Sequence, residues 1–253
     1  MGFWNFIKKS LLVILCIILL ISFIAMNAFF VLSSSLEYKN IQSAVKPLLK
    51  EVIYGVDSTE TEKTFEKMKL YCNQNNTDYV ISEEGRVISI PCQEILTGTP
   101  DTIVNLQIDK FIQSNYYKKY ECNFWQCFKS EKTPFFLVSE TSKNYFLGKF
   151  YLALIISLIL IALIFFLVEF KRNALTITGI LLIISSLPFA KLSTFAYLFT
   201  NKDIINILSM IFAQAYEIFM IALVLGIVLT GIGIGLTIWD SRKTSSKNKK
   251  QTK

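Results

Sequence analysis

Cys72, Cys92, Cys122 and Cys127 are the residues of this 253-residue chain with the most chemistry open to them. Four thiols within one segment support structural disulfides, a tetrathiolate metal site or a redox-active pair. A zinc site of four thiolates normally shows two short C-x2–4-C knuckles, and only Cys122 and Cys127 come near that spacing. A redox pair is more typically C-x-x-C with a lowered thiol pKa, and the stretch between Cys122 and Cys127 is longer than that. The spacing therefore favours disulfides, for which four cysteines allow three pairings. The favoured one joins Cys72 to Cys92, closing a loop of about 20 residues that is worth ~3 kcal/mol in the loop-entropy treatment. It also joins Cys122 to Cys127, which would flank a short loop. The crossed pairings stay open. Cys16 lies in an apolar run and reads as a small hydrophobe.

The chain contains no histidine. That excludes Ser–His and Cys–His nucleophile pairs, imidazole acid–base catalysis and the commonest zinc ligand sets. An enzyme would have to rest on carboxylates such as Glu83 or Glu84, which read as exposed turn residues. No catalytic, cofactor-binding or metal-binding residue is assigned, and the chain reads as a non-enzyme that needs no cofactor.

Tyr116, Tyr117, Tyr120, Phe124, Trp125 and Phe128 crowd around the last two cysteines. Aromatics dominate binding hot spots, so Tyr116, Tyr120, Phe124, Trp125 and Phe128 are candidates for docking a partner. The same cluster also suits a seat on lipid headgroups or a domain core. Gly231 and Gly235 have the small-x-x-x-small spacing that lets membrane helices approach closely. Packing within the chain is the favoured use, with homodimerisation the alternative. Gln214 and Glu217 open the last apolar run, where a solvated interface explains them better than a site inside the membrane. Asn75-Asn76-Thr77 has the form of a glycosylation sequon.

These residues hang on four apolar stretches, at 11–32, 148–169, 174–190 and 213–239, each near the ~20 residues that cross a bilayer core as a helix. With 53% hydrophobic residues, the fold class is an integral α-helical membrane protein of four transmembrane helices. A small disulfide-stapled α+β domain at 33–147 is inserted between the first and second. That segment carries 15 acidic against 13 basic residues, so the overall charge of +7 resides in the flanks of the spans. A nucleic-acid footprint would sit on the folded domain instead, so nucleic acid is not expected as a partner.

Lys and Arg favour the cytoplasmic side of short loops. Lys8 and Lys9 place segment 1–10 inside. Lys171 and Arg172 place the joint 170–173 inside, and Arg242, Lys243, Lys247, Lys249, Lys250 and Lys253 do so for the tail 240–253. The chain is then a multi-pass protein of the plasma membrane with both termini cytoplasmic, and with 33–147 and 191–212 outside. Segment 191–212, rich in aromatics, fits a helix lying in the outer interface, with a re-entrant hairpin as the alternative. The first run could instead be a cleaved signal peptide, but it exceeds the usual length for one, and Ala25-Met26-Asn27-Ala28 has the wrong spacing for cleavage.

Within 33–147 the first span is expected to run on as helix into Leu36–Ile53, with a kink or break at Pro47. A helix follows from about Thr59 to Tyr71, with Thr59 and Glu62 placed as a capping box. Asp78–Ser82 and Arg86–Pro91 form a hairpin signal that turns at Gly85. Thr99-Pro100-Asp101 opens another helix, whose Val104, Ile108, Phe111 and Ile112 would cover the hairpin. Phe135–Val138 is a candidate third strand.

The run Tyr71-Cys72, Ile90-Pro91-Cys92 and Tyr116–Phe128 resembles a pattern in uncharacterised archaeal membrane proteins. That resemblance implies an archaeal plasma membrane and supplies no activity. The topology is similar to that of permease subunits of macrolide-exporter-type transporters, but the joint between the second and third spans is far too short for their coupling helix. It is also similar to that of claudin-like proteins, whose Trp/Cys signature is absent. The functional expectation is a membrane-anchored binding or assembly protein of the cell envelope. It would partner the lipid bilayer and an envelope protein or further copies of itself. The alternative is an oligomeric transport or channel component, against which stands the lack of charged residues deep in the spans.

Overall fold

A computed structural model describes residues 2–54, 58–75, 77–83, 86–130, 134–168, 171–191 and 214–251. The described elements are α1 (Gly2–Ser35), α2 (Tyr38–Tyr54), α3 (Ser58–Gln74), β1 (Tyr79–Glu83), β2 (Arg86–Ile90), α4 (Cys92–Thr97), α5 (Pro100–Tyr116), α6 (Phe124–Ser130), α7 (Glu140–Leu167), α8 (Lys171–Ser186) and α9 (Ala215–Gln251). Short 3-10 turns cover Pro134–Phe136 and Leu187–Lys191. Four stretches are long and apolar enough to cross a membrane: Phe6–Ser35, Glu140–Leu167, Asn173–Lys191 and Ala215–Trp239. They mark the chain as a membrane protein. The expected loop at 191–212 falls, after Lys191, outside the described residues.

The chain divides into two compact units, one of Met1–Ser35 with Asn144–Lys253 and the other of Leu36–Lys143. In the first, Leu19, Phe23, Leu160, Ile164, Ala174, Leu182 and Ala222 form an apolar core drawn from α1, α7, α8 and α9. Lipid tails are as apolar as leucine, so helices in a bilayer are held by close packing and by hydrogen bonds between them. Both occur here. The hydroxyls of Ser22 and Ser157 lie 2.9 Å apart, and Asn27 Nδ2 donates to Ser185 Oγ at 3.5 Å.

Helices α8 and α9 approach closely through Gly179 and Gly226. A Cβ on Gly179 would lie 2.7 Å from the Gly226 carbonyl and would collide with Thr230 Oγ1. A Cβ on Gly226 would lie 2.6 Å from Ile183 Cγ1. The packing role expected of Gly231 and Gly235 within the chain falls to this other pair, since among the described residues nothing lies within 4 Å of a Cβ at either position. The reason is helical phase. Five and nine residues beyond Gly226 turn the face by about 140° and about 180°, away from α8.

In the second unit α2 and α5 run antiparallel. Tyr38 meets Tyr116 edge-on with ring centroids 5.3 Å apart. Gln42 and Lys46 reach Asp109, and Lys50 lies 3.6 Å from Asp101. The continuous helix expected beyond the first span is not formed. The chain breaks at Leu36-Glu37, and the Glu37 carbonyl starts a new helix by accepting from the amides of Asn40 and Ile41 at 2.9 and 3.0 Å. Pro47 does not break α2 but lies inside it. Its missing N–H removes one backbone bond, and the contacts of Lys46 and Lys50 with α5 hold the helix on either side of the gap.

Ser58, one residue before the expected cap at Thr59, opens α3. The hairpin pairs Tyr79 with Ile90, Ile81 with Ile88 and Glu83 with Arg86. Its turn at Gly85 lies outside the described residues. Period-two alternation turns Tyr79 and Ile90 toward a core of Phe65, Met68, Cys72, Ile95 and Ile103, with Cys92 and Leu106 packed on it. Thr99 caps α5 and shares a reciprocal capping box with Thr102. The α5 residues in that core are Ile103 and Leu106, and Val104, Ile108 and Ile112 are buried as well.

Phe135–Val138 is not a strand, and the described sheet has two strands. The Phe136 carbonyl, which a ladder would need, instead accepts the hydroxyls of Ser139 at 2.6 Å and Ser142 at 2.8 Å. Pro134 has no N–H to give.

Candidate functional site

The elements of the Leu36–Lys143 unit define two ends along α5. At about 1.5 Å per residue its 17 residues measure about 25 Å. The Tyr116 end is tied to Leu36, because the Tyr116 hydroxyl donates to the Leu36 carbonyl at 2.9 Å. At the Thr99 end, Gly98 abuts α4: its amide donates to Glu94 O at 2.9 Å, and a Cβ there would lie 2.5 Å from the same oxygen.

The Leu36 end carries the aromatic cluster. Phe136 is fully buried, with its ring centroid 5.1 Å from that of Tyr120 and 5.6 Å from that of Phe124. Tyr116 and Phe124 are only 3% and 8% exposed. Two of the five docking candidates are therefore core residues, and Tyr120 is half-buried. Burial is what the Leu36 and Phe136 contacts require of these rings. Trp125 and Phe128 differ: they are 59% and 50% exposed, with centroids 6.2 Å apart on one face of α6.

Cys122 and Cys127 are joined by a disulfide with Cα atoms 5.6 Å apart. The stretch between them is not the expected loop, because α6 begins at Phe124. Asn123 Oδ1 accepts the Gln126 amide at 3.1 Å, while Gln126 Oε1 accepts the Asn123 amide at 3.4 Å. This reciprocal cap was legible as Asn-x-x-Gln. The bond thus fixes the first turn of a helix that presents Trp125 and Phe128.

The far end carries the other disulfide, Cys72–Cys92, with Cα atoms 5.3 Å apart. On the elements at this end Leu70 and Tyr71 on α3, Val80 on β1 and Leu96 on α4 are each exposed. Leu70 was legible too. Phe65, Met68 and Cys72 mark the buried stripe of α3, and Leu70 lies about 200° from Met68. Helix α4 has Pro91 before it and Gly98 after it, a start-and-stop signature that reasoning from the hairpin passed over.

Titratable groups concentrate on the α2–α5 seam. Burial, the neighbouring Tyr117 and the charges of Glu140 and Glu37 push the Tyr116 phenol up to about 12. Burial, with Asp109 and Tyr117 nearby, also raises Tyr38. Burial alone would raise Asp109, but hydrogen bonds from Lys46 and Gln42 and the charges of Lys46 and Lys50 outweigh it and hold the carboxyl below its ordinary value. Among the described residues no three His, Cys, Asp or Glu side chains converge as metal ligands. Glu217 is exposed in the first turn of α9.

No family model matches the chain, and neither curated proteins nor solved structures include a significant match to it.

Proposed function

We propose that this chain is a membrane-anchored binding or assembly protein of the cell envelope, with segment 36–143 on the outer side and both termini in the cytoplasm. The basic residues at 8–9, 171–172 and in the tail support that orientation. The observation that carries the binding role is the exposure of Leu70 on α3 and Leu96 on α4, the two helices that the Cys72–Cys92 disulfide ties together. Leu70 is 62% exposed. Exposed apolar side chains on a crosslinked scaffold are what a partner interface draws on.

The test is capture of the tagged protein from native membranes in mild detergent, with mass spectrometry of what accompanies it. A stoichiometric partner is expected with the wild type and with W125S/F128S, and at least about tenfold less with L70S/L96S, a loss of ~1.4 kcal/mol. Capture unaffected by L70S/L96S, or no stoichiometric partner, would overturn the reading.

A second reading, an oligomeric transport or channel component, draws on Gly231 and Gly235. Their open face on α9 leaves room for a neighbouring helix. It calls for a stable homo-oligomer in detergent that G231L/G235L dissociates, and a monomeric wild type would remove it.

A further inference from the structure

Helix α9 does not stop where its apolar span ends at Trp239 but runs on from Asp240 to Gln251. That extension carries five cations against the single acid Asp240. We infer that it is a lipid-binding surface, on which Arg242, Lys243, Lys247, Lys249 and Lys250 engage anionic headgroups of the membrane that α9 itself spans.

Helical register sets this surface. At about 100° per residue, all five basic positions fall within about 80° of the direction of Trp239. The exposed span residues Ile221, Val224, Leu225, Val228 and Ile232 fall within about 60° of the same direction. Ala222, in the apolar core, and Gly226, against Gly179 of α8, lie about 100° and about 140° round. Asp240, Thr244 and Gln251 share that second phase. The stripe left open to lipid in the span thus continues as the cationic stripe beyond it. The phase that packs on protein continues without a cation.

Reach follows from length. Trp belongs at the membrane interface, and Trp239 is exposed there. Along the axis Arg242, Lys243 and Lys247 lie about 4 to 12 Å beyond it, and Lys250 about 17 Å. The headgroup layer is ~5–8 Å deep and the field of an anionic surface extends a further ~8 Å. The first three cations are within that field even on an upright helix. The 25 residues of the span measure about 37 Å against a core of ~30 Å, and a span longer than the core is accommodated by tilting. Tilt lowers one flank of the extension toward the surface, so cations gathered on one flank serve lipid in a way that cations all round would not. A second copy fits this face less well, because it would set two cationic stripes side by side.

The test uses the full chain as C16A/S246C, so that a nitroxide attaches to the one thiol outside the two disulfides, at a position within the cationic stripe. It is placed one chain to a disc in lipid nanodiscs, of phosphatidylcholine alone or with a minority of phosphatidylglycerol. Phosphatidylglycerol should lower access of a neutral nickel complex to the label about twofold and raise access of oxygen. Carrying R242Q/K243Q/K247Q/K249Q/K250Q as well should restore the value seen in phosphatidylcholine. A label equally open to nickel in both lipids overturns the inference, as does a response that survives the five substitutions. Shielding that appears only in discs holding two chains would give the face to a second copy instead. The purified chain carries no envelope partner, so failure here is separate from failure of the capture experiment.

Discussion

The two ends of the Leu36–Lys143 unit are each crosslinked once, each expose apolar groups, and are built on opposite plans. At the Leu36 end the disulfide spans a sequence separation of 5 and locks one helical turn, while burial of Tyr116, Phe124 and Phe136 does most of the holding. At the far end the bond spans a separation of 20 and ties α3 to the start of α4 around a two-stranded sheet. A lone hairpin is marginal in water, so this end depends on its crosslink. A long loop closed by a bond stabilises the fold, whereas a short one fixes the direction in which side chains point.

The largest effects should separate the two plans. C72S/C92S is expected to cost ~3 kcal/mol in the loop-entropy treatment, and C122S/C127S ~2 kcal/mol. For a domain of this size the first is a fall in Tm of about 15 °C. Thermal melts of the detergent-solubilised protein, read by limited proteolysis within 36–143, measure both. Equal losses would break the comparison.

A middle-sized effect belongs to Tyr116, which ties α5 to Leu36. Y116F should cost about 1–2 kcal/mol, because it leaves the Leu36 carbonyl without its donor. The phenol also makes the Leu36 end sensitive to alkali. Its folded pKa of about 12 lies above the ordinary phenol value of 10.0, so its stabilisation is complete below pH 10 and is lost as pH rises through about 12. Wild type should lose stability across that interval more steeply than Y116F, as followed by tyrosinate absorbance and melting. Parallel losses would detach this residue from the Leu36 end.

How far such a plan could be read from sequence depends on how local the cause is. The cap at Thr99 and the presence of the hairpin are set by neighbours within a few residues, and both were legible, although Glu83, read as part of the turn, pairs with Arg86 in the ladder. The four apolar helices were legible from composition alone. What escaped was decided across the fold. Gly179 and Gly226 lie on separate helices with no shared motif, so the conspicuous Gly231 and Gly235 drew the packing role instead. Phe135–Val138 has strand-like composition, but Ser139 and Ser142 claim the Phe136 carbonyl for the start of α7. Pro47 reads as a break until α5 supplies Asp109 and Asp101 on either side of it. Burial of Tyr116 and Phe124 beside exposed Trp125 and Phe128 follows from where Phe136 comes to rest, which no local pattern states.

The smallest effect tests whether the two ends are mechanically one body. Asp109 lies between them on α5, with its carboxylate 2.7 Å from Lys46 Nζ. Because the pair is about a third exposed, D109N should cost only about 0.5–1 kcal/mol. The carboxyl is held below its ordinary value of 3.8, so its contribution is complete above that pH and is lost as pH falls through the depressed value. Hydrogen exchange then gives the decisive reading. If α2 and α5 act as one strut, D109N at neutral pH and wild type at a pH below the depressed value should both speed exchange at the amides of Ile103 and Ile112 by similar factors, about threefold for 0.6 kcal/mol. Acceleration confined to Ile112 would mean that the far end stands on its own disulfide and sheet. The two ends would then be separate devices joined by a helix, and the far end could be altered without disturbing the Leu36 end.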